Sequence, residues 1–192
     1  FLGVGGMQIF RAEMPGPSKD RLTPRIATTA KLLWFVYVLL CALLTVLLWL
    51  GGMTVFDALC HTFATMATGG FSTRTLSVGA YNSTYFDIVI IIFMFLAGTN
   101  FALHYRAIRG KPLLYFRDAE FCFYIGVWAG ACFILTFNVW GPVYESFGAA
   151  LRAAFFQGTS IMTTTGFVTA DFDRWPHASR ILLVLLMFIG GC

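Results

Sequence analysis

The chain has 192 residues, of which 58% are hydrophobic and 11% charged, against roughly a quarter charged in soluble domains. With a mean hydropathy of +0.77, it carries more apolar surface than a globule of this size can hide from water, so lipid is the solvent the composition implies. A net charge of +4 then bears on membrane sidedness rather than on a nucleic-acid partner, and disorder or a secreted disulfide scaffold is excluded by the same figures.

In chain order, residues 1–10 read as the last turns of an apolar helix. No Met and no basic stretch precede them, so the sequence is expected to be an internal piece of a longer membrane protein. A link follows with Arg11, Lys19, Arg21, Arg25 and Lys31. Residues 32–50 are uncharged and long enough to cross a bilayer, which takes about 20 apolar residues. Residues 54–68 are too short to cross, open with Thr54 and Asp57 as a helix start, and close on a Thr/Gly turn. A second span is expected over 88–105, with Asn100 and His104 near its end, followed by a link holding Arg106, Arg109, Lys111 and Arg117. A third span covers 121–140, a second short helix 146–164, and a fourth span begins after Arg180.

Short helices that enter a membrane and turn back are tolerated where their irregular backbone is buried or lines water. Treating 54–68 and 146–164 in this way puts nine cations of the two basic links on one side. Arg74, Arg152, Arg174 and Arg180 then lie on the other. The positive-inside rule assigns the basic links to the cytoplasm and both short helices to the outer side. The fold class is therefore an all-α membrane protein of repeated span, re-entrant pore helix and span units, as in potassium channels.

An offset of 96 residues superposes the short helices: six of the eighteen positions in 56–73 and 152–169 are identical, where chance gives about one. The matches gather at the turns, as Thr68-Gly69-Gly70-Phe71-Ser72-Thr73 and Thr164-Thr165-Gly166-Phe167-Val168-Thr169. Residues 94–98 and 187–191 agree as well. The expected organisation is the end of a preceding span and a cytoplasmic link in 1–30, one repeat in 31–110, and a second in 111–192 that is cut in its last span.

A short helix entering from outside aims its carboxyl end, with its partial negative charge, at the membrane centre. Backbone carbonyls in the turn beyond it can replace the water shell of a dehydrated cation. Gly supplies positive φ to aim a carbonyl, and Thr adds a neutral acceptor. No Asp or Glu lies within four residues of Gly70 or Gly166. Neutral oxygens suit a large monovalent ion such as potassium, whereas calcium or magnesium favours carboxylates.

These turns, the stretch Phe188-Ile-Gly-Gly-Cys192, and the opening residues 1–8 and 11–17 resemble the bacterial Trk/Ktr potassium-uptake superfamily, and within it the membrane subunits of the Trk system. The resemblance covers essentially the whole sequence. It implies a parent with four such units around a pore, this chain carrying the second and most of the third. It also implies a K+ filter at Thr68, Gly69, Gly70, Phe71, Thr164, Thr165, Gly166 and Phe167, and an intramembrane gate beginning at Gly190, Gly191 and Cys192. Further implications are inner-membrane location, a homodimeric parent and a cytoplasmic nucleotide-binding regulatory subunit. Potassium is the transported ligand and no cofactor is expected. The turns are shorter than the TVGYG filters of tetrameric channels, which predicts looser discrimination among potassium, rubidium and sodium.

Bland readings stand beside these. His61, aligned with Gln157, reads as a hydrogen-bonded helix-fixing residue rather than a proton relay, and His104 as solvated. Asp57 and Asp87 read as helix-start residues, and Arg152 as facing the outer mouth. Asn100 either bonds to another helix or lines the pore. The five cysteines (Cys41, Cys60, Cys122, Cys132 and Cys192) form no CxxC and read as packing residues. Ser72 and Ser160 have no His at helical spacing, which argues against an intramembrane hydrolase. The alternatives to a pore are a secondary transporter coupled to Na+ or H+ and a structural scaffold subunit.

Overall fold

The computed structural model describes residues 26–110 and 112–191, and among these every regular element is helical. Helix α1 spans Ile26–Leu50. It starts six residues before the expected span, so part of the expected link is helical. α2 covers Val55–Met66 and α3 Thr84–Ala97. α4 covers Phe101–Ile108 and α5 Ala119–Val139. α6 covers Phe147–Met162 and α7 His177–Gly190. Residues 1–25, Lys111 and Cys192, with the expectations that fall on them, lie outside the described residues.

Among the described residues, two helices have the length and apolarity to cross a membrane, Ala30–Leu50 of α1 and Ala119–Val139. Their outward side chains are bulky and apolar, among them Trp34, Phe35, Trp49, Phe123 and Phe137. A helix apolar on all faces belongs in lipid or in a large core.

The expected second span is not continuous. It begins at Thr84, runs to Ala97, then bends by 102° into α4. The break falls at Gly98–Thr99–Asn100. Thr99 Oγ1 donates back to the Phe95 carbonyl at 2.9 Å, and Asn100 Oδ1 accepts the Ala102 N–H at 2.9 Å. Asn100 is thus the N-cap of α4, a role its position in an expected span did not suggest. His104 is buried, not solvated: Nε2 meets the Leu96 carbonyl at 2.9 Å and Nδ1 the Tyr115 hydroxyl at 2.5 Å. The ring thereby ties α4 to both the end of α3 and the 3-10 turn Pro112–Arg117.

α2 packs on α1 and α3, while α6 packs on α5, α7 and α3. One core gathers Leu44, Leu48, Val78, Ile90 and Met94 around α2, and it is completed by Phe156 and Phe167 from the second repeat. A second core joins Leu135, Val139, Ala154, Leu183 and Leu186. α7 starts at His177, so Arg180 sits in its first turn, bonded to His177 Nδ1 at 2.6 Å, instead of preceding the helix.

Candidate functional site

The two short helices end in turns of the same conformation. Thr68 and Gly70 have φ of 50° and 66°, and their partners at the 96-residue offset, Thr164 and Gly166, have 58° and 83°. Left-handed backbone is routine for Gly but rare for a β-branched residue, and it persists only where the surroundings over-determine it. Its presence at both threonines, in the same register, is the strongest structural sign that the turns perform one task.

The direction of their carbonyls follows from hydrogen bonding. The N–H of Thr68 bonds to Thr65 O, and the N–H groups of Gly69 and Gly70 bond to Ala64 O. In the second turn the N–H of Thr164 bonds to Ile161 O and that of Gly166 to Ser160 O. All peptides among the described residues are trans, and in a trans peptide the carbonyl points opposite to the N–H that follows it. The carbonyls of Ala67, Thr68 and Gly69, and those of Thr163 and Thr165, therefore turn away from their own helices. The turns also touch. A Cβ at Gly70 would collide with the carbonyl oxygen of Thr165, so Gly70 is required by close approach as well as by φ.

Side chains behind each turn hold it. Asp57 Oδ1 accepts the Thr73 hydroxyl at 2.7 Å, and Oδ2 the Arg74 guanidinium at 3.1 Å. Thr54 accepts the Asp57 N–H at 3.1 Å and caps the helix, as its position predicted. The Thr73 hydroxyl, with help from Thr54 and Arg74, holds the Asp57 carboxyl below its ordinary range against the opposing effect of burial. Asp57 is thus a helix-start residue whose charge is spent on the far side of the turn. His61 Nδ1 lies 2.7 Å from the Asp57 carbonyl and Nε2 lies 2.9 Å from Ser72 Oγ. In the second turn, Gln157 Nε2 donates to Ala170 O at 3.0 Å and Ser160 Oγ to Phe167 O at 2.7 Å. Thr163 and Thr165 hydroxyls share a bond of 2.8 Å.

The clamp residues Asp57, Ser72, Thr73, Gln157 and Ser160 were outside the set of site residues the motif suggested. One signal did point to them: the repeat pairs His61 with Gln157, two residues able to reach a neighbouring loop. Ser72 and His61 do meet, but Nδ1 of the ring faces the Asp57 backbone carbonyl while the Asp57 carboxylate is engaged by Thr73 and Arg74, which is not the carboxylate–imidazole pairing of a hydrolytic triad.

The phenylalanines of the two turns have different fates: Phe167 is 1% exposed and Phe71 80%. Loops beyond the turns join the repeats, through Gly79 N–H to Val168 O at 3.1 Å and Val168 N–H to Ser77 Oγ at 3.2 Å. Arg152 does not stand free at the outer side. Its Nε lies 3.6 Å from Asp87 Oδ2, and Nη1 donates to Thr84 Oγ1 at 2.6 Å, which fastens α6 to the start of α3. Gly190 is the last residue of α7 and Gly191 its cap, and a Cβ at Gly190 would collide with the Met162 carbonyl. The four described cysteines are free, and no group of His, Cys, Asp and Glu among the described residues could hold a metal ion.

The chain is similar to Trk system potassium uptake protein TrkH of Salmonella typhimurium and of Escherichia coli K12, at 47% identity over 194 residues in each case. It matches Trk system potassium uptake protein TrkG of Escherichia coli K12 at 39% identity. All of this chain aligns in each comparison, yet it spans only 40% of these relatives' length. The crystal structure of the potassium transporter TrkH from Vibrio parahaemolyticus superposes with a TM-score of 0.83 at 36% identity, covering 95% of this chain and 40% of that one. The family described as TrkH, cation transport protein, matches residues 1–192, and the chain belongs to it.

Proposed function

We propose that this chain supplies two repeats, residues 31–110 and 111–192, of the pore-forming subunit of a bacterial potassium-uptake system in the inner membrane. Potassium passes along the axis of the repeats, and backbone carbonyls of the two Gly turns stand in for its water shell. The observation that carries this reading is the matched left-handed pair in each turn, Thr68 with Gly70 and Thr164 with Gly166. Asp57, the carboxylate fastened to the first turn, is engaged by Thr73 and Arg74, which favours a weakly held monovalent ion over a divalent one. Thr68 to Phe71 and Thr164 to Phe167 form the filter segments. The stretch from Gly190 through Gly191 to Cys192 begins the gate, where α7 ends close to the second turn.

The full-length parent is a membrane-embedded dimer in this reading and works with the cytoplasmic nucleotide-binding subunit of a Trk system. The names of the similar proteins, each a Trk system potassium uptake protein, support its place in a Trk system.

The test uses the full-length parent, expressed with its regulatory subunit in a bacterium lacking potassium uptake. Growth at low potassium and rubidium influx are followed for wild type, Gly70→Ser and Gly166→Ser, with membrane levels matched. Restored influx in wild type and its loss, or sodium entry, in the variants is the expected result. Variants that transport like wild type make both turns structural.

A further inference from the structure

Among the residues behind the turns, His61 is placed against both. Its ring is completely buried. Nδ1 faces the Asp57 carbonyl, which can only accept, so this nitrogen carries a proton. In the neutral ring Nε2 is then the acceptor for the Ser72 hydroxyl, while Ser72 Oγ in turn accepts the Arg74 N–H at 3.1 Å. The opposite side of the ring meets the second turn: the Phe167 ring centroid lies 6.0 Å away at an interplanar angle of 31°. Tyr81 closes the cage edge-on at 5.6 Å. One rigid side chain thus holds the outgoing end of the first turn and bears on the second.

Gln157, its counterpart, performs only the first of these tasks, by its bond to Ala170 O. The left-handed conformation of Thr68 must be held from outside, and a change in the spacing of the turns changes the cage that a dehydrated ion meets. We propose that His61 is a positioning residue that sets the discrimination between potassium and sodium, by fixing the first turn through Ser72 and its distance from the second through Phe167. This rests on the reading of the turns as a filter.

The experiment measures potassium KM, maximal rate and the potassium-to-sodium influx ratio in the full-length parent. It compares wild type, His61→Leu, His61→Gln, Ser72→Ala and the control Gly70→Ser. His61→Leu fills the space without either hydrogen bond, and is expected to lower the ratio about fivefold, the worth of the one net hydrogen bond that reaches the turn, to Ser72. His61→Gln restores most of it, since an amide reaches the same hydroxyl. Ser72→Ala removes the bond to the turn, together with the acceptor of the Arg74 N–H, without disturbing the core and reproduces the change, which decides the matter should His61→Leu fail to reach the membrane. A wild-type ratio in His61→Leu or Ser72→Ala, with Gly70→Ser inactive, overturns this role and leaves the filter reading standing. A His61→Gln protein no better than His61→Leu overturns the hydrogen-bond account. If Gly70→Ser also transports normally, the filter reading itself has failed.

Discussion

Thr68 and Thr164 combine a β-branched side chain with left-handed backbone, at φ of 50° and 58°. Such a conformation costs a non-glycine residue roughly 1–2 kcal/mol. Replacing Thr68 by Gly relieves that strain, partly offset by the greater freedom of Gly in the unfolded chain, about 0.5–1 kcal/mol. Thr68→Gly is therefore expected to leave the thermal midpoint of the full-length protein unchanged or slightly higher, while influx falls with the lost hydroxyl. A clear drop in the midpoint, as for a Gly placed mid-helix, would show that Thr68 is not strained. The correspondence of these positions was legible in the sequence because two copies of the motif align. Their backbone geometry was not, since Thr carries no signal for positive φ and the strain is held by distant groups. Gly70 shows the same limit. Its φ could be guessed from residue type, but the Thr165 carbonyl lying against it belongs to another part of the chain.

At the scale of elements, hydropathy located the long helices well, and Thr54 marked the start of α2. The break at Gly98–Asn100 escaped because a Gly-Thr-Asn triplet barely lowers the apolar average of the residues around it. Its consequences escaped with it. Only when the chain turns by 102° does His104 come back to the Leu96 carbonyl and find Tyr115. A ring expected in water is instead the fastener of the bend. His104→Phe keeps the bulk but removes both hydrogen bonds, a loss of about 1–3 kcal/mol for buried polar groups left unpaired. We expect faster amide exchange across Phe101–Ile108 with little change in α1. Exchange at the wild-type rate would mean that packing alone holds the bend. Asp87 and Arg152 were visible individually, one as a helix-start acid and the other as a cation at the outer mouth. Their pairing spans two repeats and could not be read from local sequence.

For the whole molecule, the repeat predicted two like units but not how they fit. Phe156 and Phe167 of the second unit complete the core built around α2 of the first. Truncating a fully buried Phe costs about 3–5 kcal/mol. Phe167→Ala is thus expected to lower the unfolding midpoint of the parent protein and to loosen both turns together, read as increased exchange at 68–74 as well as 164–170. Exchange confined to 164–170 would show that the units hold their turns independently. The contact is directional: Phe167 enters the neighbouring unit, whereas Phe71, at the same position in the first unit, is 80% exposed. Contacts of this head-to-tail kind are heterologous, with a different patch on each side, and repeating one about an axis advances by a fixed rotation. The width of any opening so enclosed is then set by the rotation angle. A methyl group gained or lost between His61 and Phe167 becomes a change in the angle between these two units and, in the proposed pore, in its bore, without any alteration to the turn residues themselves.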